Sequence, residues 1–222
     1  MPGRSVHAFL FDLDGVLVDT TAIIHRGWES FASQRGVTVP APDYPRAIYG
    51  RRTREILVDY FRLPESEADD LLAHGFDDKT ALVREAGGLT EIPGASSFIK
   101  ASKAAGLKLA VASSASRANV EIALDAIGVS TLMDAVITSA DVRAGKPAPD
   151  PYLAAARALG VEAAQAVVFE DTTFGIESAH AAGSSCVALA TTLPRGQLME
   201  ADLVIDDFRG QEPRRLIQDL GA

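Results

Sequence analysis

Cysteine is all but missing from this chain of 222 residues: Cys186 stands alone, so no intramolecular disulfide can form and the fold must rest on its core. Positive charge is scarce too. Twenty-one Lys and Arg face 30 Asp and Glu, giving a formal net charge of −9 and a pI near 4.9, which repels nucleic acid and anionic membranes at long range and argues against either as a partner. A small anionic ligand stays compatible, because local cations or a metal override the net field. Apolar runs are short: none nears the roughly 18 residues that a membrane helix needs, and the N-terminus lacks the basic segment and apolar core of a secretion signal. Internal repeats and low-complexity tracts are missing as well. A soluble, cytoplasmic protein is expected, and a monomer. What the chain does have is apolar mass, 47% of its residues, enough to fill one large domain or a domain with a smaller insert.

The most informative stretch is Phe11-Asp12-Leu13-Asp14-Gly15-Val16-Leu17-Val18-Asp19-Thr20. An apolar run from Val6 to Phe11 ends in two carboxylates one residue apart, as when a buried parallel strand delivers charge to the carboxyl edge of its sheet. Two like charges that close need a cation between them, or one must hold a proton. A turn at Gly15 would let the side chains diverge while both face one pocket, one to ligate metal and attack, the other to carry a proton. A bare Asp-x-Asp fits a turn and a helix-capping acid equally, so the pair needs support from elsewhere in the chain.

Downstream the period changes. Ile23, Ile24, Trp28, Phe31 and Ala32 recur at helical spacing between Thr21 and Gly36. A second helix carries Ile56, Leu57, Tyr60 and Phe61, and a third, opened by Pro64, carries Leu71, Leu72, Phe76, Leu82 and Val83. No strand is expected between residue 18 and Gly87-Gly88, which makes 21–89 an all-helical insert. After Pro93-Gly94 the elements alternate: helix 97–105, strand 107–112, helix 119–127, strand 135–138, a helix from Asp150 as N-cap to Leu159, strand 166–169, helix 174–182, strand 186–190 and a short strand 203–205. Such alternation predicts an α/β fold: a Rossmann-like parallel sheet with helices on both faces, built from residues 1–20 and 90–222 and interrupted by the helical insert.

Ligand sites in such sheets lie at the carboxyl ends of the strands. After the first expected strand come Asp12 and Asp14, after the second Ser113-Ser114, beyond the third Lys146, and after the fourth Glu170 and Asp171. Clustered carboxylates hold Mg²⁺ in hard oxygen coordination, hydroxyls and free amides hold phosphoryl oxygens, and a positioned ammonium offsets charge. Each residue alone has a bland role, as strand terminator, solvated loop charge or helix cap. Four sets at one edge, in chain order, favour phosphoryl transfer.

The elements Asp12-Leu13-Asp14-Gly15-Val16-Leu17-Val18-Asp19, Ser113-Ser114, Lys146-Pro147-Ala148-Pro149-Asp150-Pro151-Tyr152 and Glu170-Asp171-Thr172-Thr173-Phe174-Gly175-Ile176 resemble the four motifs of the haloacid dehalogenase superfamily, within it the β-phosphoglucomutase-like phosphatases with a helical cap. The resemblance spans nearly the whole chain. It implies that Asp12 is the nucleophile that takes the phosphoryl group, and that Asp14 protonates the leaving oxygen and then deprotonates water. It implies Mg²⁺ held by Asp12, the main-chain carbonyl of Asp14 and Asp171, with Glu170 in the inner or outer shell. Ser113, Ser114, Lys146 and the amides of Leu13 and Asp14 would grip the phosphoryl oxygens. Metal and lysine together would let Asp12 stay ionised among other acids. Asp14 also separates the chain from the dehalogenase branch, whose members lack an acid there and need no metal.

Specificity in the family comes from the cap. Here Tyr49-Gly50-Arg51-Arg52-Thr53-Arg54-Glu55 sets three arginines around a helix start, where cations are unfavourable. Either this is an exposed basic turn, or Arg51 and Arg52 contact a second anionic group of the substrate. β-Phosphoglucomutases carry a cap histidine where this chain has Ile24, with His25 one step off, and an arginine where it has Thr53. Lys79 in the insert reads as a solvated charge, and His7, His74 and His180 as structural. The resemblance therefore implies an Mg²⁺-dependent phosphatase for a small phosphorylated metabolite such as a sugar phosphate, with a phosphosugar mutase as the alternative. A receiver-type signalling domain would be shorter, without the insert, and would carry its phosphorylated acid on a later strand. A dinucleotide-binding domain would need Gly-x-Gly-x-x-Gly after the first strand.

Overall fold

The computed structural model describes residues 5–40, 42, 44–76, 83 and 88–221. The chain runs through β1 (Ala8–Phe11) and β2 (Val18–Asp19) into α1 (Thr21–Gln34), α2 (Tyr44–Ala47), α3 (Thr53–Glu55) and α4 (Glu65–Ala73), and returns by β3 (Thr90–Glu91). It continues as α5 (Ala95–Ala104), β4 (Lys108–Ala112), α6 (Arg117–Ala126), β5 (Ala135–Ile137), α7 (Asp150–Leu159), β6 (Ala166–Glu170), α8 (Thr173–Ala181), β7 (Ser185–Leu189), β8 (Leu203–Ile205) and α9 (Pro213–Asp219).

Six strands form one sheet in the order β5-β4-β1-β6-β7-β8, and every neighbouring pair is parallel. The Rossmann-like core read from the sequence is the fold. β1 lies at the centre because both of its faces are apolar, as a strand covered by helices on two sides requires. Ala8 and Leu10 join the cluster that holds Tyr152 and Leu159 of α7 and Ile176 of α8. Phe9 and Phe11 point the other way, into an aromatic cluster with Phe98 of α5, Phe169 and Phe208, where Phe11 stacks on Phe169 at 4.8 Å. Cys186 is fully buried in β7, as its apolar surroundings suggest.

Thr90–Glu91, just past the stretch read as free of strands, is a strand paired antiparallel with Val18–Asp19, and the insert leaves and re-enters the core beside this two-rung ribbon. Other expectations are corrected. The second insert helix is not regular: α3 has three residues and passes into a wider π turn, Ile56–Tyr60. The third stops at Ala73, and Gly75 follows at φ +77°; Lys79 and Leu82 lie outside the described residues. Asp150 is the first residue of α7 and not its N-cap, which is Pro149. Within the insert, Trp28, Phe31, Phe61 and Phe76 pack ring on ring at 4.7–5.8 Å, continuous with the cluster that holds Leu10 and Tyr152. Among the described residues, no helix is long and apolar enough to cross a membrane.

Candidate active site

Pairing with β6 continues one residue past β1, where the Asp12 amide donates to the Phe169 carbonyl at 2.9 Å, and this fixes the Asp12 side chain at the sheet edge. The chain then turns: Leu17 N–H donates to the Leu13 carbonyl at 2.9 Å and Gly15 N–H to the Val18 carbonyl at 2.8 Å. Gly15 sits at φ +78°, and a Cβ on it would lie 2.0 Å from Asp171 Oδ2 and 2.4 Å from Thr192 Oγ1. Only glycine lets this turn pass beside Asp171. Asp14 lies at the start of the turn and lines the same pocket as Asp12, and the Thr20 hydroxyl donates to its Oδ1 at 2.6 Å.

Behind Asp12 lies Lys146, only 1% exposed, whose ammonium donates to Asp12 Oδ1 and Glu170 Oε1, each at 2.5 Å. Glu170, the last residue of β6, is fully engaged by the protein. Its Oε1 also accepts from the Tyr152 hydroxyl at 2.5 Å, and its Oε2 accepts from the Asp171 amide at 3.0 Å and the Thr172 hydroxyl at 3.1 Å. Room for that carboxylate exists because residue 175 is glycine: a Cβ there would fall 1.8 Å from Glu170 Cδ.

Electrostatics follow from this packing. Burial pushes the Asp12 carboxyl up to about 7, against the pull of Lys146, with Glu170 adding to the rise. Burial also drives Asp171 well above the usual carboxylate range, with Glu170 and Asp12 reinforcing it. For Glu170 burial is overcome by Lys146, which holds it below its ordinary value. For Lys146 burial is likewise overcome, here by Asp12 and Glu170, so the ammonium is held above its ordinary value. Asp12, Glu170 and Asp171 each offer a carboxylate oxygen within 4.8 Å of the others. With all three ionised, the carboxylates against one ammonium leave two negative charges, the charge that one divalent cation offsets. Asp171 Oδ1 is buried without a hydrogen-bond partner, a state that costs a few kcal/mol unless something ligates it. The donor set is all oxygen and fits a hard divalent ion.

The pocket in front of Asp12 is lined on the core side by Asp14, Ser113, Ser114, Asn119, Asp171 and Thr192, and on the insert side by Thr21, Ile24, Trp28, Ile48, Tyr49, Arg51, Thr53 and Ile56. Ser113 is buried and accepts from the Ala115 amide at 3.1 Å. Ser114 donates to the Gly50 carbonyl at 2.8 Å, so its hydroxyl joins the insert to the core. The Leu13 side chain is buried away from the pocket. Glu170 and Lys146 are sealed behind it. Of the three arginines, Arg51 reaches the pocket wall and pairs with Asp59. Arg52 pairs with Glu55 at 2.6 Å, and Arg54 pairs with Asp69 at 2.6 Å and Glu65 at 2.9 Å. Ile24 and Thr53 line the pocket, while His25 bonds to the Tyr49 hydroxyl and stacks on Tyr44 at 3.9 Å.

Sequence reasoning missed Thr20, Tyr152, Thr192 and Gly175 as parts of this site. Tyr152 and Gly175 stand inside the motif stretches, and Thr20 closes the first one, so position gave a signal for these three. Thr192 follows a strand end with no signal of its own.

Parallel topology, a helical insertion after the first strand and an acid-rich edge around a buried lysine define an enzyme core of the Rossmann-like α/β class. The chain belongs to the haloacid dehalogenase-like hydrolases, whose family profile matches residues 9–189, and it is an enzyme of their phosphatase type. It is 34% identical over 206 residues to validoxylamine A 7′-phosphate phosphatase of Streptomyces hygroscopicus subsp. limoneus, covering 90% of this chain and 92% of that one. It is 33% identical over 198 residues to hexitol phosphatase A of Escherichia coli, covering 89% of each. The crystal structure of CbbY from Rhodobacter sphaeroides in complex with phosphate superposes with a TM-score of 0.78 at 26% identity, covering 92% of this chain and 96% of that one.

Proposed function

We propose that the protein is an Mg²⁺-dependent phosphatase that hydrolyses a small phosphorylated metabolite, such as a sugar or polyol phosphate, through an aspartyl phosphate on Asp12. Residues 1–20 and 90–222 form the catalytic core in this reading, and residues 21–89 the cap over it. The observation that carries it is the buried set of Asp12, Lys146, Glu170 and Asp171 directly behind a pocket that also holds Asp14 and Ser113. Asp12 and Asp171, with the Asp14 main-chain carbonyl, would hold Mg²⁺, Glu170 standing behind them; bound there, the ion supplies charge neutralisation at the phosphoryl oxygens.

In the first step an Asp12 carboxylate oxygen attacks phosphorus while the ester P–O bond breaks, and the Asp14 carboxyl gives its proton to the leaving oxygen. In the second, Asp14, now a carboxylate, takes a proton from water as that water attacks phosphorus, the Asp12–phosphorus bond breaks, and orthophosphate leaves. Ser113 donates to a phosphoryl oxygen, and Lys146 stabilises Asp12 as the attacking anion. Thr20, the N-cap of α1 at the edge of the core, aims Asp14. Validoxylamine A 7′-phosphate and hexitol phosphatases among the relatives support a polyhydroxylated phosphomonoester. Ile24 and Thr53, where the mutases resembled here carry histidine and arginine, favour hydrolysis over interconversion.

The test is hydrolysis of p-nitrophenyl phosphate and of a panel of hexose, pentose and alditol phosphates with Mg²⁺. Asp12→Asn is expected to abolish turnover. Asp14→Asn is expected to form phosphoenzyme from the aryl ester and to release it slowly. Full activity in Asp12→Asn would overturn the nucleophile assignment.

A further inference from the structure

The chemistry above leaves Arg51, Arg52 and Arg54 unused, and each of the three already has an acidic partner. Arg52 differs from the other two in reaching the core. Its Nε donates to Glu55 Oε1 at 2.7 Å while Nη1 donates to the main-chain carbonyl of Arg143 at 3.2 Å. A guanidinium fork serves two acceptors in fixed geometry, which a lysine ammonium does not. The same pair lies over Gly145: a Cβ on that residue would meet Arg52 Nε at 2.8 Å, Glu55 Oε1 at 3.0 Å and Arg52 Cδ at 3.1 Å. Gly145 lies outside the left-handed backbone region, so a Cβ there would press on the ion pair rather than strain the backbone.

The next residue is Lys146, buried between Asp12 and Glu170. Two contacts flank the Arg52 seat on the insert segment 50–55. Ser114 holds the Gly50 carbonyl, and a Cβ on Gly50 would lie 2.8 Å from Thr172 Oγ1, itself bonded to Glu170. The segment thus touches the loops that follow β4, β5 and β6.

We propose that Arg52, braced by Glu55, is a positioning residue that seats the cap on the 143–145 loop and so holds Lys146 between Asp12 and Glu170. This rests on the phosphatase reading for its effect on turnover, though not for its effect on the loop. Arg52 is then no reader of substrate, and cap docking and the placement of the lysine are one event.

The test compares Arg52→Ala, Gly145→Ala and the double variant in the full chain by two readouts. One is kcat and KM for p-nitrophenyl phosphate with Mg²⁺; the other is amide hydrogen exchange over residues 143–148. Each single variant is expected to lower kcat roughly 10- to 100-fold, the range for a phosphate-site group moved by about an ångström, with KM changed less. Exchange over 143–148 is expected to quicken in both, while β1 and β6 stay protected. The double variant is expected to be no worse than the worse single, since both break one contact. Multiplying effects, unchanged exchange, or a rise in KM alone for Arg52→Ala would overturn the proposal. If Gly145→Ala does not fold, Arg52→Ala and Arg52→Lys decide it by exchange, both quickening the loop if the fork matters and leaving it unchanged if not. A wild-type protein that hydrolyses no phosphate ester would defeat the phosphatase reading, and the exchange result would still decide the role of Arg52.

Discussion

Gly175 lies in the first turn of α8, where its amide donates to the Thr172 hydroxyl at 3.1 Å. Helix propensity alone makes Gly175→Ala stabilising, by up to about 1 kcal/mol. The site reverses the sign. An added Cβ would fall 1.8 Å from Glu170 Cδ, 1.9 Å from Oε1 and 2.1 Å from Oε2, so the carboxylate must leave its seat. Leaving strands the Tyr152 hydroxyl, the Asp171 amide and the Thr172 hydroxyl, and it takes one of two carboxylates from a lysine that is 1% exposed. Removing one partner of a buried charge network costs about 3–5 kcal/mol. At about 2–4 °C per kcal/mol for a chain this size, Tm should drop by roughly 6–20 °C. Thermal unfolding followed by circular dichroism measures it. Adding Glu170→Ala to Gly175→Ala vacates the space, and the double variant is expected within about 0.5 kcal/mol of Glu170→Ala alone, because the two changes share one cause. A Tm for Gly175→Ala at or above wild type, or additive losses in the pair, would refute the reasoning.

Thr20→Val keeps the branched shape and removes the hydroxyl that donates to Asp14 Oδ1; kcat should fall roughly 10- to 100-fold, part of what a general acid contributes, with Tm little changed, and a kcat within twofold of wild type would count against it. Burial raises the Asp12 carboxyl from an ordinary 3.8 to about 7 and raises Asp171 as well. Between those two values the folded state binds more protons than the unfolded one, so the metal-free protein should lose stability as pH rises from about 4 to 7. Glu170, held below its ordinary 4.5, works the opposite way only as pH falls below that value. Mg²⁺ must displace those protons, so its stabilisation should be larger at pH 7 than at pH 5, and equal Tm shifts at the two pH values would sink the charge argument.

What was legible in the chain is what has a local signal. β1 and β6 are apolar runs that break into acids, and β8 is a Leu-Val-Ile triplet read at its observed bounds. Thr90–Glu91 was not legible because two residues carry no period, and its pairing with Val18–Asp19 depends on the insert returning to where it left. The π turn at Ile56–Tyr60 keeps apolar residues at helical spacing, so pattern alone reads it as ordinary helix. The C-terminal helix Pro213–Asp219 has a proline in its first turn, a signal that was present and went unread.

The arginines show why the cap resists reading more than the core does. At a helix start three cations imply an anion near them. The structure supplies the anions from the chain itself, at separations of 3, 8, 11 and 15 residues, with a main-chain carbonyl 91 residues away. No pattern at one position encodes which of these partners wins. The glycines of the core carry better information. A Cβ on Gly15 would strike Asp171, one on Gly145 the Arg52–Glu55 pair, and one on Gly175 Glu170, yet of the three only Gly15 has a left-handed backbone. Turn chemistry therefore accounts for one of them, and at the other two a charged group lies where a Cβ would stand.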